Sequence, residues 1–452
     1  MNIIVVGCGK IGTTIVASLS SEGHDVVAVD ENDAVVAEIS DIYDVMCVCG
    51  NGADYNTLSE AGVEKADMLI SVTGSDELNC LSCFIAKRMG AEHTVARIRN
   101  PEYSDKNIGF MKQQLDISLV INPEMLAAQE LFNILKLPSA VNIEMFSRRN
   151  FEMVELRLKP DSPLDGCKLM DIRKKYNANF LVCVVQRADE VYIPDGNFVL
   201  KSGDRIGLTA APTEVQKLLK KLGILQKQAR TVMILGGSRT AIYLTKLLLK
   251  SGNTVKVIDN NHEKCISLSE DLPGAVIIEG DGAEQELLFE EGIRSMDAFV
   301  ALTGMDEENI LISFFASSQN VPKVISKVNR GELAAMAEKL GLDCIVSPRK
   351  IIADVMLSYA RALENSLGSK VETLYKLMDG KVEALEFNVQ PDFKYINIPL
   401  KDMKLKPNIL ISGILRRRKA IIPTGDDSFC PGDKVIVISA GRPLNDLSDI
   451  MQ

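Results

Sequence analysis

The first 140 residues alternate short, unbroken apolar runs with amphipathic stretches. The runs Ile3–Val6, Val26–Val29, Val45–Cys49, Asp67–Val72 and His93–Ile98 have strand length, and apolar residues recur at helical spacing between them. The pattern predicts helices over 11–22, 32–40, 55–61 and 76–89. Strands this apolar, separated by helices, form a parallel sheet covered on both faces. Right-handed crossovers then make it α/β, a doubly wound Rossmann-like sheet.

Asn122-Pro123 starts a long amphipathic helix carrying Leu126, Leu131 and Leu135. Asn as N-cap with Pro at the first helical position is a start signal. Such a stripe packs either on its own domain or across onto a neighbour, and both readings stay open. A shorter strand-rich region follows over 140–226, with Gly-Asp turns and a helix at 213–222.

Shifted by about 230 residues, the sequence superposes on itself. ISVTGSDELN (70–79) falls on VALTGMDEEN (300–309), GNGAD (50–54) on GDGAE (280–284), and SGDRIGL (202–208) on PGDKVIV (431–437). The chain is therefore a duplication of one unit. It divides into nucleotide-binding-like domains at 1–138 and 227–365, each followed by a small α+β domain, at 139–226 and 366–452. In the second unit Ser347-Pro348 starts the long helix, with Ile352, Val355, Met356 and Tyr359 along its stripe.

Gly7-Cys8-Gly9-Lys10-Ile11-Gly12 joins the first strand to the first helix. In such a loop the first glycine makes the turn, the second admits a pyrophosphate, and the third lets helix and strand pack closely. The helix N-terminus offers amides and a positive dipole end to the phosphate. Asp30 ends the second strand, 18 residues after Gly12, where a carboxylate accepts from ribose hydroxyls and repels a 2′-phosphate. That favours NAD(H) or another adenine nucleotide over NADP(H). In unit two the loop reads Gly236-Gly237-Ser238-Arg239-Thr240-Ala241, and Asp259 keeps the register of Asp30. Binding there, or a fold that kept its shape and lost its ligand, are the two readings. Asn51-Gly52 and Asp281-Gly282 end the third strands, Thr73 and Thr303 follow the fourth, and Arg97 and Lys327 end the fifth. All lie along the carboxyl edge, where open α/β sheets bind ligands.

Composition narrows the chemistry. The net charge of −10 and pI near 5.1 argue against nucleic acid as a partner. No apolar run approaches the ~20 residues a membrane-spanning helix needs, and no leader precedes the first strand, so a cytoplasmic protein is expected. The 10 cysteines lack metal spacing and read as small buried side chains, and no metal site is expected. The 3 histidines, at 24, 93 and 262, are badly placed for hydride or proton transfer. No catalytic residue is therefore assigned. A nucleotide-sensing regulator fits best, with an NAD-dependent oxidoreductase and a scaffold holding a structural nucleotide as alternatives. The run Arg416-Arg417-Arg418-Lys419 falls on a hairpin turn, either solvated or touching an acidic partner or anionic headgroups.

The glycine loop, Asp30, GNGAD, SVTGSDELN and ARIRNPEY (96–103), followed by a Pro-started helix and a small β-rich domain, resemble the RCK/KTN family with its RCK-C partner domain. The resemblance covers the whole chain, once per unit. It implies binding of NAD(H) and/or ATP/ADP, and assembly into a ring, here a homotetramer. It further implies docking on a separate potassium-translocating membrane subunit (TrkH-like), which would place the chain peripherally on the inner face of the cell membrane. By position, Gly7, Gly9, Lys10, Ile11, Gly12 and Arg97 would hold phosphates, Asp30 the ribose, and Asn51, Gly52 and Thr73 would line the pocket. The unit-two matches are Gly236, Ser238, Arg239, Asp259, Asp281, Thr303 and Lys327.

Overall fold

The computed structural model describes the chain except residues 101–104, 147–150, 177, 226, 367–370, 418, 443 and 445, so the end of ARIRNPEY and Arg418 lie outside the described residues. Unit one opens with β1 (Asn2–Val6), α1 (Lys10–Ser21), β2 (Asp25–Asp30), α2 (Asp33–Ile42), β3 (Met46–Cys49) and α3 (Tyr55–Glu60). It continues with β4 (Met68–Ser71), α4 (Asp76–Met89), β5 (His93–Arg97), α5 (Asp105–Gln114), β6 (Leu119–Ile121) and α6 (Pro123–Lys136). The strands form one parallel sheet in the order β3-β2-β1-β4-β5-β6, the doubly wound arrangement the apolar runs required. The sixth strand was not read from the sequence. It is three residues long, too short to show a period, and it pairs only at Val95–Arg97.

The second part of unit one is β7 (Asn142–Phe146), β8 (Phe151–Arg157), α7 (Leu169–Tyr176), β9 (Phe180–Arg187), β10 (Glu190–Tyr192), β11 (Arg205–Ala210) and α8 (Pro212–Lys221). Its strands form an antiparallel sheet in the order β10-β9-β11-β8-β7.

Unit two repeats the plan. Its parallel sheet comprises β12 (Thr231–Leu235), α9 (Arg239–Lys250), β13 (Thr254–Asp259), α10 (His262–Asp271), β14 (Val276–Glu279), α11 (Gln285–Glu290), β15 (Ala298–Ala301), α12 (Asp306–Ser318), β16 (Lys323–Lys327), α13 (Gly331–Lys339) and β17 (Ile345–Val346), closed by α14 (Pro348–Ser366). An antiparallel sheet of β18 (Val371–Leu377), β19 (Val382–Asn388), β20 (Ile409–Arg416), β21 (Lys419–Ile421) and β22 (Lys434–Ala440) follows.

The long helices cross between the units, which settles the choice left open by their stripes. Asn122 caps α6 by accepting from the Met125 amide at 2.9 Å, and Pro123 sets its first turn. From there Ala128, Leu131, Ile134 and Leu135 enter the core of unit two, against Val232, Ile234 and Leu244. In return α14 sends Ile352, Met356, Leu357 and Ala360 into the core of unit one, beside Ile3, Ile15 and Leu19. That core runs on into the last domain through Leu374, Leu385 and Phe387. Polar contacts secure the exchange: Glu22 at the end of α1 binds Arg361 of α14, and takes Lys376 at 2.8 Å.

The two antiparallel sheets join through Phe151, Met153, Cys183 and Val184 on one side and Leu377, Met378, Ala384 and Ile438 on the other. Gly413 lets Phe151 in: a β-carbon there would lie 3.0 Å from its ring. Arg416 does not reach outward. It pairs with Asp433 at 2.7 Å and donates to the Ser428 carbonyl at 2.7 Å, as Arg187 does with Asp204 and Val199 in unit one. The run does sit on a hairpin turn, between β20 and β21, but Arg416 is neither solvated nor free for a partner: it is spent on an internal ion pair. Six cysteines are buried, as expected of small apolar side chains, but Cys49 is exposed.

Candidate functional site

The first glycine loop has the shape its sequence required. Gly7 has φ +88°, and a β-carbon there would press on the Thr73 backbone at 2.7 Å. A β-carbon on Gly12 would collide with the Gly7 carbonyl. Gly9 differs: a β-carbon there would meet no protein atom within 4 Å. The loop is tight where chain meets chain and open where a pyrophosphate would sit. Lys10 opens α1 on the exposed side, and Ile11 packs partly against the unit-one core.

Asp30 stands at the end of β2, beneath the loop. Its carboxylate accepts from the Cys8 amide at 2.6 Å and the Asn32 amide at 3.0 Å. Asn51 turns its side chain to the Ala53 amide at 2.9 Å, so that side chain serves its own turn. A β-carbon on Gly52 would collide with Val6, which makes this glycine a packing requirement under the sheet edge.

Asn79 organises the far side, and the sequence reading passed over it. Its oxygen accepts from the Thr73 amide and hydroxyl, both at 2.7 Å, and its nitrogen donates to the Arg97 carbonyl at 2.9 Å. Asp76, also passed over, accepts from the amides of Arg99 and Asn100 at 2.8 Å each. Both residues recur in unit two as Asn309 and Asp306 with the same partners, within the TGSDELN and TGMDEEN segments that defined the repeat.

Arg97 is the least satisfied charge at this edge. It is only 7% exposed. One terminal nitrogen donates to the Thr73 carbonyl, while its Nε has no hydrogen-bond partner among the described residues. Burial first, and then the neighbouring charge of Arg99, push its guanidinium down to about 10; Arg239 of unit two acts in the same direction. A buried cation with an idle donor, tied through Thr73 to the first glycine of the loop, fits an anionic ligand.

The counterpart edge in unit two is built alike but filled differently. Gly236 keeps φ +90° against Thr303. Asp281 holds its own turn at the Ala283 amide, 2.9 Å away. Ser238 caps α9, its hydroxyl accepting from the Ala241 amide at 3.4 Å, and Arg239 opens that helix on the exposed side. Lys327 is half-buried and donates to the Leu302 carbonyl at 3.4 Å. Asp259 takes the Gly237 amide at 2.7 Å, the Asn261 amide at 3.1 Å, and an ion pair with Lys264. Burial works against the charge of Asp259, but the hydrogen bonds from Lys264 and the two amides win and hold its carboxyl below the usual range.

The two edges are physically joined. Tyr243 on α9 donates its hydroxyl to the Arg99 carbonyl at 3.2 Å and accepts from the Asn122 side chain at 3.1 Å. A unit-two helix that opens at the second glycine loop thereby touches the strand end carrying Arg97.

Family models for the TrkA-N domain match residues 3–123 and 232–348, and models for the TrkA-C domain match 153–223 and 384–452. The chain belongs to the TrkA family. Among its relatives, Trk system potassium uptake protein TrkA homolog 1 of Methanosarcina mazei is 31% identical over 99% of both chains. The TrkA protein of Vibrio alginolyticus is 30% identical over 100% of this chain and 99% of its own. Among solved structures, the RCK domain of GsuK superposes with a TM-score of 0.64 at 17% identity, over 97% of this chain and 92% of that one. TrkA-family membership agrees with the tandem architecture: two parallel sheets, each followed by an antiparallel one. Among the described residues no His/Cys/Asp/Glu group could hold a metal, and no helix is long and apolar enough to cross a membrane.

Proposed function

We propose that this chain is the nucleotide-sensing regulatory subunit of a potassium uptake system, not an enzyme. NAD(H) and/or ATP/ADP binds at the unit-one cradle, and its presence biases how the two units sit against each other. The observation that carries this is Arg97, a buried cation whose Nε has no partner among the described residues, bonded to the Thr73 carbonyl beside Gly7 at the start of the glycine loop. Phosphate is held by the amides after Gly9, by Lys10 and by Arg97, and ribose by Asp30. Asn51, Gly52 and Thr73 shape the pocket wall. The potassium role rests on the names of its full-length relatives, and the choice of ligand is supported by the GsuK channel, which has been solved bound to NAD and bound to ADP.

The working assembly is a homotetrameric ring on the cytoplasmic face of a TrkH-like membrane subunit. Leu81 on α4 and Leu311 on α12 occupy matching positions and are 49% and 69% exposed. Phe110 on α5, and Met336 with Leu340 at the end of α13, are exposed as well, Phe110 and Leu340 again at matching positions. A chain that presents one apolar face twice can associate at both ends, which is what ring closure needs.

The test is a thermal-shift series with NAD⁺, NADH, ATP and ADP, read beside potassium uptake in cells lacking the protein. Stabilisation by at least one nucleotide and impaired uptake are expected. No stabilisation by any of the four, with normal uptake, would sink the proposal.

A further inference from the structure

We propose that Lys264 closes the ribose end of the second cradle, so that nucleotide is confined to unit one. This rests on the reading of unit one as the nucleotide site. In register, Lys264 replaces Val35, and α2 carries no cation near Asp30 in its first turns. The Asp30 carboxylate accepts from two backbone amides and keeps contact with solvent. Asp259 has the same two amide contacts and, in addition, the Lys264 ammonium; it is 8% exposed. A ribose diol arriving at Asp259 has to displace a cation from a carboxylate, and hydroxyls are the weaker partner.

Two further groups of the second cradle also have internal partners. Ser238 spends its hydroxyl oxygen on the Ala241 amide, an end-of-helix donor that a phosphate would otherwise take, whereas Gly9 gives α1 no side-chain cap. Lys327 is engaged by the Leu302 carbonyl, whereas the Nε of Arg97 is not engaged. Asp259, the Ser238 hydroxyl and Lys327, three groups a nucleotide would address in unit two, have internal partners, and exchanging a charge-assisted bond for a neutral one weakens binding by roughly 10- to 100-fold.

The test is calorimetric titration of the full-length chain with ADP and with NADH, reading stoichiometry. The wild type binds one nucleotide per chain. Lys264→Ala and Lys264→Met each add a second site. The discriminating variant is Asp30→Ala: it binds none alone and regains one site when combined with Lys264→Ala. Lys264 is 42% exposed, so its replacement leaves the core untouched. Two equal sites in the wild type, or one site in both Lys264 variants, would overturn the inference while leaving the unit-one reading intact. No binding to the wild type at all would overturn that reading, and this inference with it.

Discussion

Arg97→Met separates binding from folding, because the structure gives the two effects opposite signs. In the absence of an anion the guanidinium is a buried charge with one terminal nitrogen bonded to the Thr73 carbonyl and its Nε unpartnered. Its drop from 12.5 to about 10 means that the protein disfavours the charged form. At about 1.4 kcal/mol per pKa unit that is roughly 3 kcal/mol against folding at neutral pH. The sign follows from linkage. A base whose folded pKa lies below its unfolded one costs its full penalty at every pH below the folded value, and sheds it only as pH climbs above about 10. Methionine keeps much of the volume and removes the charge, at the cost of the Thr73 contact, about 1–2 kcal/mol. The apo variant should therefore melt no lower than wild type. Its nucleotide affinity should fall about 10- to 100-fold, the worth of one charge-assisted bond to phosphate. Scanning calorimetry of the apo protein and titration with ADP read the two halves. If Arg97→Met lowers the apo melting temperature and leaves affinity intact, Arg97 is a structural strut and the reasoning fails.

Gly9→Ala and Gly12→Val form a contrasting pair: the first should leave apo stability near wild type and weaken nucleotide binding, and the second should unfold the loop because its side chain meets the Gly7 carbonyl. Circular dichroism melts beside titration would show whether they differ. Leu131→Ala on α6 should cost about 2–5 kcal/mol. Because the helix is exchanged, hydrogen exchange should rise in β12 and β13 of unit two rather than in β1 and β2 of its own unit; the reverse would contradict the packing. Tyr243→Phe removes both hydrogen bonds of that hydroxyl, one to the Arg99 carbonyl beyond Arg97 and one from Asn122 at the start of α6, at about 1–2 kcal/mol. It should also shrink any nucleotide-dependent change in small-angle scattering, and an unchanged response would show that the contact transmits nothing. Glu130 on α6 lines a cavity of about 950 Å³ with Asp354 of α14. Burial first, and Asp354 second, push Glu130 up to about 7. An acid raised on folding contributes its full stability below about 4.5 and loses it as pH rises through 7. Glu130→Gln should therefore outlast wild type in urea at pH 8 and match it at pH 4.5; equal midpoints at both pH values would refute this.

Much of this architecture was readable from hydrophobic periodicity. The core strands and α4 announce themselves because each is a long run with caps, such as Ser75 on the Leu78 amide and Gly90 beyond Met89. Strand β6 escaped because three residues carry no period. The partner of each long helix could not be read, since an apolar stripe says that a surface is buried and not by what. At the site, Gly7, Gly12 and Asp30 were legible because turn, packing and strand end each demand one residue type. Asn79 and Asp76 had their signal in plain view, identical across the repeat, but their work is to hold backbone groups and no motif names it. Lys264 lay hidden for the opposite reason: it breaks the repeat, and only the coordinates show that its ammonium reaches Asp259.

The exchanged helices carry a historical meaning. Two free copies of a half-length ancestor, each lending its long helix to the other, would already have been this molecule in all but one covalent link. Joining them end to end adds only the short connection between α8 and β12. Once sealed into one polypeptide, the copies no longer had to be identical. One could change its loop from Gly9 to Ser238 and gain a cation at Lys264 while keeping the shape its sister leans on. Division of labour of this kind is open to a fused pair and closed to a symmetric one.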